Sequence, residues 1–261
     1  MNTTDVAAST FVERFTHDLL DLGVRPGGVL MVHPALRPFG FVPGGPETII
    51  QGLLSVLGPQ GTLLMPALSY ETVLPQNPVF DVRQTPACVG AIAEAFRRRA
   101  GTRRSLHPTH SVCAVGPQTG NLLPAHAEDT TPCGPHSPFH RLPEFGGQIL
   151  MLACALVYNT SMHALEEMVV PPYLFDPPIL YTLTGEDGRT FRKKYTPHNF
   201  IGWQQRYDRL ADILSAPDLR SGMVAGAESH LVEARSLWQI AGAVLRQNPL
   251  YFIDKIETED Q

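Results

Sequence analysis

The sequence predicts an α/β protein built on a central, largely parallel sheet with helices on its faces. Two short apolar runs, 29–32 and 62–65, flank a segment with helical spacing, and this strand–helix–strand order is typical of a parallel sheet. The composition agrees, because 43% of the 261 residues are hydrophobic and 17% are charged, fewer charges than the roughly 25% of an average domain. No linker or internal repeat divides the chain, so we expect a single domain over residues 1–261.

Start and stop signals place the elements along the chain. Thr10 and Glu13 form a capping box that opens the first helix, Gly23 closes it, and Pro46 opens the second helix. The Gly-Glu-Asp-Gly turn at 185–188 predicts a hairpin. The predicted helices are 11–22, 46–57, 89–99, 160–169, 203–214 and 231–245, and the predicted strands are 29–32, 62–65, 112–115, 149–155, 179–183 and 190–194.

Charge and cysteine content limit the partners and the compartment. Twenty Lys and Arg against 25 Asp and Glu give a net charge of −5, which argues against nucleic acid or an anionic membrane as a partner. No apolar run approaches the roughly 20 residues of a membrane span, and the N-terminus lacks a secretory signal. The four cysteines form no CxxC pair. We therefore expect a cytoplasmic protein with reduced thiols.

The segment NTSMHALEE (159–167) directly follows an apolar strand, at the sheet edge where α/β proteins bind ligands. His163 and Glu166 lie three residues apart and therefore share a helix face, where the carboxylate can orient the imidazole as a general base. Thr160 or Ser161 can cap this helix. The alternative is a capped helix that carries a solvated His and Glu. A nucleophilic Ser161 is less favoured, because no GxSxG motif surrounds it.

A second polar cluster lies in RRSLHPTHSVCAVG (103–116). Its paired arginines, Arg103 and Arg104, and its hydroxyl groups suit a phosphate or pyrophosphate. The alternative is a solvated helix terminus, because Arg97, Arg98 and Arg99 precede it and complement the helix dipole. The chain contains neither GxxxxGK[ST] nor a GxGxxG after its first strand, which disfavours the usual nucleotide-phosphate loops.

Several loop residues have the chemistry of metal ligands, namely His107, His110, Cys133, His136 and His140. No HExxH motif occurs, and Pro135 and Pro138 interrupt any helix that would align these residues. Loop histidines without a metal are the expected outcome.

Six ordered blocks together resemble the aminoglycoside 3-N-acetyltransferase family, over nearly the whole chain. They are LGVRPGGVLMVHPALRPFG (22–40), PGGPETIIQGLLSVLGPQGTLLMPA (43–67), TPACVGAIAEAFRR (85–98), RRSLHPTHSVCAVG (103–116), GPHSPFHRL (134–142) and NTSMHALEE (159–167). The resemblance implies a three-layer α/β/α sandwich, a groove for acetyl-CoA as co-substrate, a small-molecule amine as acceptor and no metal. It is also compatible with a homodimer.

The resemblance also implies roles for individual residues. His163 would accept a proton from the amine during direct acetyl transfer, Glu166 would orient it, and Thr160 would stabilise the oxyanion. A base is needed because an alkylammonium is mostly protonated at neutral pH and cannot attack. The implied cofactor-binding residues are His33, Pro34, Ala35, Leu36, Arg103, Arg104, Ser105, His107, Ser111 and Val112.

Two departures from the family pattern concern the acceptor. Pro34 and Ala35 stand where relatives commonly carry a Ser, and Leu156, Val157 and Tyr158 replace a Gly-His-Asp-like segment. Losing that carboxylate removes a charge-assisted contact to a polycationic sugar. The acceptor is therefore expected to be an aminoglycoside or a less charged amine.

Two other functions stay open at this point. One is a metal-dependent hydrolase that uses the loop residues His107, His110, Cys133, His136 and His163. The other is a non-catalytic CoA-binding protein on the same scaffold, which would not require His163.

Overall fold

The computed structural model describes residues 3–256. Its helices are α1 (Thr3–Leu22), α2 (Pro46–Leu57), α3 (Ala91–Arg98), α4 (Thr119–Leu122), α5 (Pro138–Arg141), α6 (Met162–Val169), α7 (Leu210–Ile213) and α8 (Ala234–Gln247). Its strands are β1 (Val29–Pro34), β2 (Thr62–Pro66), β3 (Val79–Asp81), β4 (Arg103–Arg104), β5 (Val112–Val115), β6 (Gln148–Leu152), β7 (Ile179–Thr184), β8 (Thr190–Tyr195), β9 (Trp203–Gln205), β10 (Leu219–Val224), β11 (Ala227–Glu233) and β12 (Ile253–Lys255). Within this part of the chain, no helix has both the length and the apolar character needed to cross a membrane.

The central sheet has seven strands in the order β10-β11-β6-β1-β2-β5-β4. Its middle strands β6, β1 and β2 are parallel, as predicted from the strand–helix–strand pattern. The strands on both sides pair antiparallel, through β11 on β6 and β5 on β2. The predicted α/β fold is confirmed, with antiparallel strands at the edges of a parallel centre.

Helices cover both faces of this sheet and make the sandwich three layers thick. Successive residues of β1 point to opposite faces. Met31 therefore packs in the core under α6 and α8, whereas Leu30 and Val32 pack in the core under α1 and α2. The two cores hold the parallel strands rigidly, and the loops that follow those strands are positioned by them.

Two small sheets lie outside the sandwich. The predicted hairpin is confirmed as β7 and β8, and β7 also pairs parallel with β3. Tyr181 and Tyr195 are buried in a separate small core on this sheet. The remaining pair, β9 and β12, is antiparallel. The segment after α6 thus packs beside the sandwich and supplies side chains to its edge.

Three local predictions are wrong. The first helix begins at Thr3 instead of Thr10, whose hydroxyl donates to the Val6 carbonyl instead of capping. The predicted helix 203–214 is mostly strand β9 and a short turn before α7. Leu231 belongs to β11 instead of the closing helix, because β11 buries alternate residues and its apolar positions coincide by chance with the helical spacing of α8.

Candidate active site

The carboxyl ends of β1 and β6 open into a cavity of about 1250 Å³. The end of β1 and the chain after it, from His33 to Arg37, line one side, and the residues between β6 and α6, from Val157 to Thr160, line another. The two segments are held together where the Ala35 backbone N–H donates to the Leu152 carbonyl at 2.9 Å. This is the position at which open α/β sheets bind their ligands.

His163 lies in the first turn of α6, and its ring is fixed by two hydrogen-bonding partners. Its Nδ1 is 2.9 Å from Glu166 Oε2 and 3.0 Å from Tyr207 Oη. Glu166 is fully buried, and its carboxylate also accepts hydrogen bonds from the hydroxyls of Tyr207 and Tyr173, both at 2.9 Å. The carboxylate holds the proton of His163 on Nδ1, which leaves Nε2 as the basic nitrogen in the cavity wall.

Burial keeps the two tyrosines in their donating form. Burial, followed by the nearby Glu166 carboxylate, raises the pKa of Tyr207 well above its ordinary value, and the same causes raise the pKa of Tyr173. Both phenols therefore stay protonated and donate to the carboxylate. Together with His163 they satisfy a fully buried charge, which would otherwise be costly to the fold.

Three further histidines surround His163. His33 is buried in the cavity wall, and burial, with a smaller effect of His163, lowers its pKa to about 3. Burial also lowers the pKa of His110 and of His198 well below the ordinary value. These rings are therefore neutral at physiological pH and do not repel a cationic intermediate at His163.

His110, His163 and His198 form a group that we call the three-histidine cluster. One ring nitrogen of each lies within 4.8 Å of one ring nitrogen of each of the others. The His198 Nε2 atom is 2.8 Å from Glu167 Oε1, and the His110 Nδ1 atom is 2.9 Å from Thr109 Oγ1. Imidazoles gathered in this way have the donor atoms to hold a transition metal ion.

The remaining wall of the cavity is mostly apolar. Leu68, Val157 and Phe200 contribute to it, and Tyr158 stands at its opening. Among the described residues that line it, none is an Asp or a Glu, and Arg37 is the one Arg or Lys. The cavity offers no carboxylate to a positively charged ligand.

A family model described as aminoglycoside 3-N-acetyltransferase matches residues 31–246. The chain belongs to this family. It is 33% identical over 241 residues to aminoglycoside N(3)-acetyltransferase IV of a Salmonella species, an alignment that covers 90% of this chain and 87% of the relative. It is 31% identical to aminoglycoside N(3)-acetyltransferase IX of Micromonospora chalcea, with 87% and 90% covered. The family is one of acyltransferases.

Solved structures of the aminoglycoside 3-N-acetyltransferase family share the fold. The apoenzyme of aminoglycoside acetyltransferase AAC(3)-IVa superposes with a TM-score of 0.76 at 30% identity and covers 92% of this chain and 90% of its own. The binary complex of AAC-IIIb with CoASH superposes with a TM-score of 0.79 at 27% identity, with 90% and 96% covered. These similarities confirm the predicted sandwich.

Several residues that the sequence singled out for this acetyltransferase family do meet at the cavity. His163, Thr160 and the segment His33–Leu36 line it, and Glu166 lies directly behind His163. The hydroxyl of Thr160 has no hydrogen-bond partner among the described residues. The predicted cap is wrong, since neither Thr160 nor Ser161 caps α6 through its side chain. Instead, Asn159 Oδ1 accepts a hydrogen bond from the backbone N–H of Ser161.

The segment Arg103–Val112, which we call the arginine segment, reaches this cavity only through His110 among its described residues. Arg104 is buried, and its guanidinium donates to Ser111 Oγ and to the Ala67 carbonyl, both at 2.7 Å. Arg103 is half-exposed on edge strand β4 and pairs with Glu186 at 3.3 Å. The fold uses the donors of Arg104, whereas Arg103 makes one ion pair on the surface, and a contact of either arginine with the cofactor stays a prediction.

The other predicted cofactor residues of the arginine segment are also internal. The Ser105 hydroxyl lies 2.9 Å from His126 Nδ1 and accepts from the Val112 backbone N–H. His107 Nδ1 accepts the backbone N–H of His110 at 2.9 Å. Ser105, His107, Ser111 and Val112 are all buried away from the cavity lining. Their role as cofactor contacts also stays a prediction.

The five residues of the metal-hydrolase alternative are not brought together. His110 and His163 meet in the three-histidine cluster, but Cys133 packs in the core and His136 pairs with Asp129 at 2.8 Å. Sequence reasoning missed His198, Phe200 and Tyr207 at the cavity. They follow the hairpin in a segment predicted as loop and helix, and their spacing carries no motif.

Proposed function

We propose that this chain is an acetyl-CoA-dependent N-acetyltransferase that acts on a small-molecule amine with His163 as general base. The observation that supports it most is His163, backed by Glu166 and Tyr207, in the wall of a cavity at the carboxyl ends of the parallel strands. The CoASH complex of AAC-IIIb supports the co-substrate. The four free cysteines are consistent with a cytoplasmic enzyme.

The cavity fits acetyl-CoA and a second ligand together. Its volume of about 1250 Å³ exceeds the roughly 300–1,000 Å³ of an ordinary small-molecule site. Its apolar wall suits a pantetheine arm, and Arg37 at the exposed end of the segment after β1 suits a phosphate. Arg37 is thus a further candidate for the phosphate role that the sequence assigned to the arginine segment. Acetyl-CoA would supply the activated thioester carbonyl.

The residues around His163 can move one proton through the reaction. His163 Nε2 accepts a proton from the acceptor amine as its nitrogen bonds to the carbonyl carbon, and Glu166 stabilises the resulting imidazolium. The same proton then passes to the thiol sulfur as the carbon–sulfur bond breaks. The Thr160 hydroxyl and the N-terminus of α6 stabilise the negative oxygen between these two steps. One C–N bond forms, one C–S bond breaks, and His163 is regenerated.

The relatives and the cavity point to two classes of acceptor. The names of the relatives make an aminoglycoside the first candidate. The second is a less charged amine, because the cavity lining holds Val157 and Tyr158 and no carboxylate. A polycation gains most from charge-assisted hydrogen bonds, and this wall does not provide them.

Thiol release from acetyl-CoA tests the function and the acceptor together. Purified protein is assayed with a panel of aminoglycosides and of monoamines, and acetylated products are counted against thiol released. We expect amine-dependent release with one thiol per acetylated amine. No amine-dependent release across both classes would refute the proposal.

A designed pair of variants tests the acceptor class. Val157→Asp places a carboxylate in the wall, and Val157→Asn is the neutral control of the same shape. We expect the Asp variant to raise kcat/KM for aminoglycosides by about 10-fold over the Asn variant, the value of about one charge-assisted hydrogen bond. Equal values for the two variants would mean that the wall does not contact the charged acceptor.

A further inference from the structure

We propose that the three-histidine cluster binds one divalent transition metal ion of the zinc class, and that this ion competes with the acceptor amine for His163. The binding site stands on the geometry alone. The competition rests on the proposed function, because it takes away the nitrogen that would act as the base.

The ligands come from three different parts of the fold. His110 precedes β5, His163 lies in α6, and His198 follows β8. The ring centroids are 4.9 Å apart for His163 and His198, 5.3 Å for His110 and His198, and 6.1 Å for His110 and His163. Ligand nitrogens around tetrahedral zinc lie about 3.3 Å apart, from Zn–N bonds of about 2.0–2.1 Å. One nitrogen of each ring already lies within 4.8 Å of one nitrogen of each other ring, so metal binding requires side-chain rotations that shorten these distances.

Each ring of the cluster keeps one nitrogen free by using the other for a hydrogen bond. His163 uses Nδ1 with Glu166, His198 uses Nε2 with Glu167, and His110 uses Nδ1 with Thr109. The free His198 Nδ1 is buried and has no partner. Histidine ligands of metal ions are oriented in this manner, most often by a carboxylate or carbonyl.

The chemistry of the cluster selects the metal. Three imidazoles suit zinc, copper or nickel, whereas magnesium and calcium prefer oxygen ligands. Glu166 and Glu167 lie directly behind two of the rings and offset the charge of a divalent ion. All three histidines line the cavity, so a fourth coordination position faces the space where substrates would enter.

A bound ion and the acceptor amine need the same lone pair on His163. With Nδ1 held by Glu166, Nε2 is the nitrogen that both would use. Metal occupancy therefore blocks proton acceptance, and a chelator restores it. The cluster would make acyl transfer sensitive to free zinc.

The binding half is tested on the full chain after chelator treatment, with no acetyl-CoA present. Co²⁺ is titrated while its visible absorption is recorded, and Zn²⁺ is then used to displace it. We expect one ion per chain and the intense bands of a tetrahedral site. His198→Gln and His110→Gln should each weaken Zn²⁺ binding by at least about 10-fold, whereas His230→Gln, on strand β11 outside the cavity, should not. Circular dichroism confirms that each variant is folded.

Non-saturable binding, or equal affinity in the His198, His110 and His230 variants, would overturn the site. For the competition half, Zn²⁺ should inhibit thiol release in proportion to measured occupancy, and a chelator should reverse the inhibition. Full thiol-release activity when the cluster is fully occupied by Zn²⁺ would overturn the proposed competition but not the metal site. An absence of thiol release in metal-free protein would count against the proposed function and leave the binding result standing.

Discussion

The surroundings of His163 and the arginine segment look equally functional as sequence, yet the fold treats them in opposite ways. At His163, some polar atoms nearest the cavity make no hydrogen bond to the described residues, including His163 Nε2 and the Thr160 hydroxyl. In the arginine segment, the buried guanidinium of Arg104 instead donates to partners within the fold, namely Ser111 Oγ and the Ala67 carbonyl. A polar side chain can serve a ligand only where the fold leaves it a donor or acceptor to spare.

The comparison separates two reasons for polar residues beside a strand. The polar residues around His163 are oriented by partners on the side away from the cavity, as Glu166 orients His163. Their reactive atoms therefore face the cavity. The buried side chains of the arginine segment instead hydrogen-bond to backbone groups and hold loops against the sheet, as Arg104 does with the Ala67 carbonyl. Variants in the first set should change turnover, and variants in the second should change stability.

The largest expected effect is on turnover, from His163→Gln. Glutamine lacks a basic nitrogen, so kcat should fall by about 10²–10⁴-fold, the usual contribution of a general base. The affinity for CoA should stay nearly unchanged, because the imidazole acts on the amine. Steady-state kinetics and CoA titration measure both quantities.

The control for His163→Gln is His17→Gln, on the exposed face of α1. It should leave both kcat and CoA affinity at wild-type values. If His163→Gln retains more than a tenth of wild-type kcat, the assignment of His163 as the base is wrong.

The next effect is on stability, from Arg104→Gln. The change removes a buried guanidinium and takes the Arg104 donor from Ser111 Oγ and from the Thr85 carbonyl, whereas the Ala67 carbonyl still accepts from Ser111 Oγ. We expect a loss of about 3 kcal/mol in the free energy of unfolding, since unpaired buried groups cost about 1–3 kcal/mol each and do not add fully. Urea denaturation measures it. An unchanged stability with weakened CoA binding would instead support the cofactor role that the sequence predicts for Arg104.

The sequence predicted the sandwich and its parallel centre because apolar runs such as 29–32 and 62–65 report burial directly. It also identified the pairing of His163 with Glu166, because three-residue spacing fixes proximity on any helix. It could not identify Tyr207 or His198, which reach the cavity through long-range packing that leaves no local pattern. It could not show that Arg104 is hydrogen-bonded within the fold, because a buried and a ligand-binding arginine look alike until their partners are known.

A smaller effect concerns acid stability and His126, which lies beside the arginine segment. The ring is fully buried between Ser105 and the Pro132 carbonyl, and burial lowers its pKa to about 3. His107, stacked on it at 5.0 Å, and Lys193 are the other basic groups that face it.

Because the folded pKa of His126 lies below the unfolded value, the unfolded chain binds an extra proton between about pH 6.5 and pH 3. The stability that His126 contributes is therefore fully present above about pH 6.5 and is lost as the pH falls toward 3. Going from pH 7 to pH 5 should remove about 2 kcal/mol through this group alone. Urea denaturation of wild type and His126→Gln at both pH values measures it: the variant should lose about 2 kcal/mol less than wild type. Parallel losses would show that His126 does not carry the effect.

The smallest effect comes from Arg103→Gln, the neighbour of Arg104 on the same strand and its natural control. The Arg103 side chain is 49% exposed and pairs with an equally exposed Glu186 at 3.3 Å, and such surface pairs contribute about 0–1 kcal/mol. We expect a change in unfolding free energy below about 0.5 kcal/mol and no change in kcat or in KM for acetyl-CoA. Because adjacent residues on a strand point to opposite faces, the contrast between Arg103 and Arg104 isolates burial from charge. A rise in KM for acetyl-CoA in the Arg103 variant alone would place a phosphate at this edge of the sheet, and the cavity at His163 would then hold only part of the cofactor.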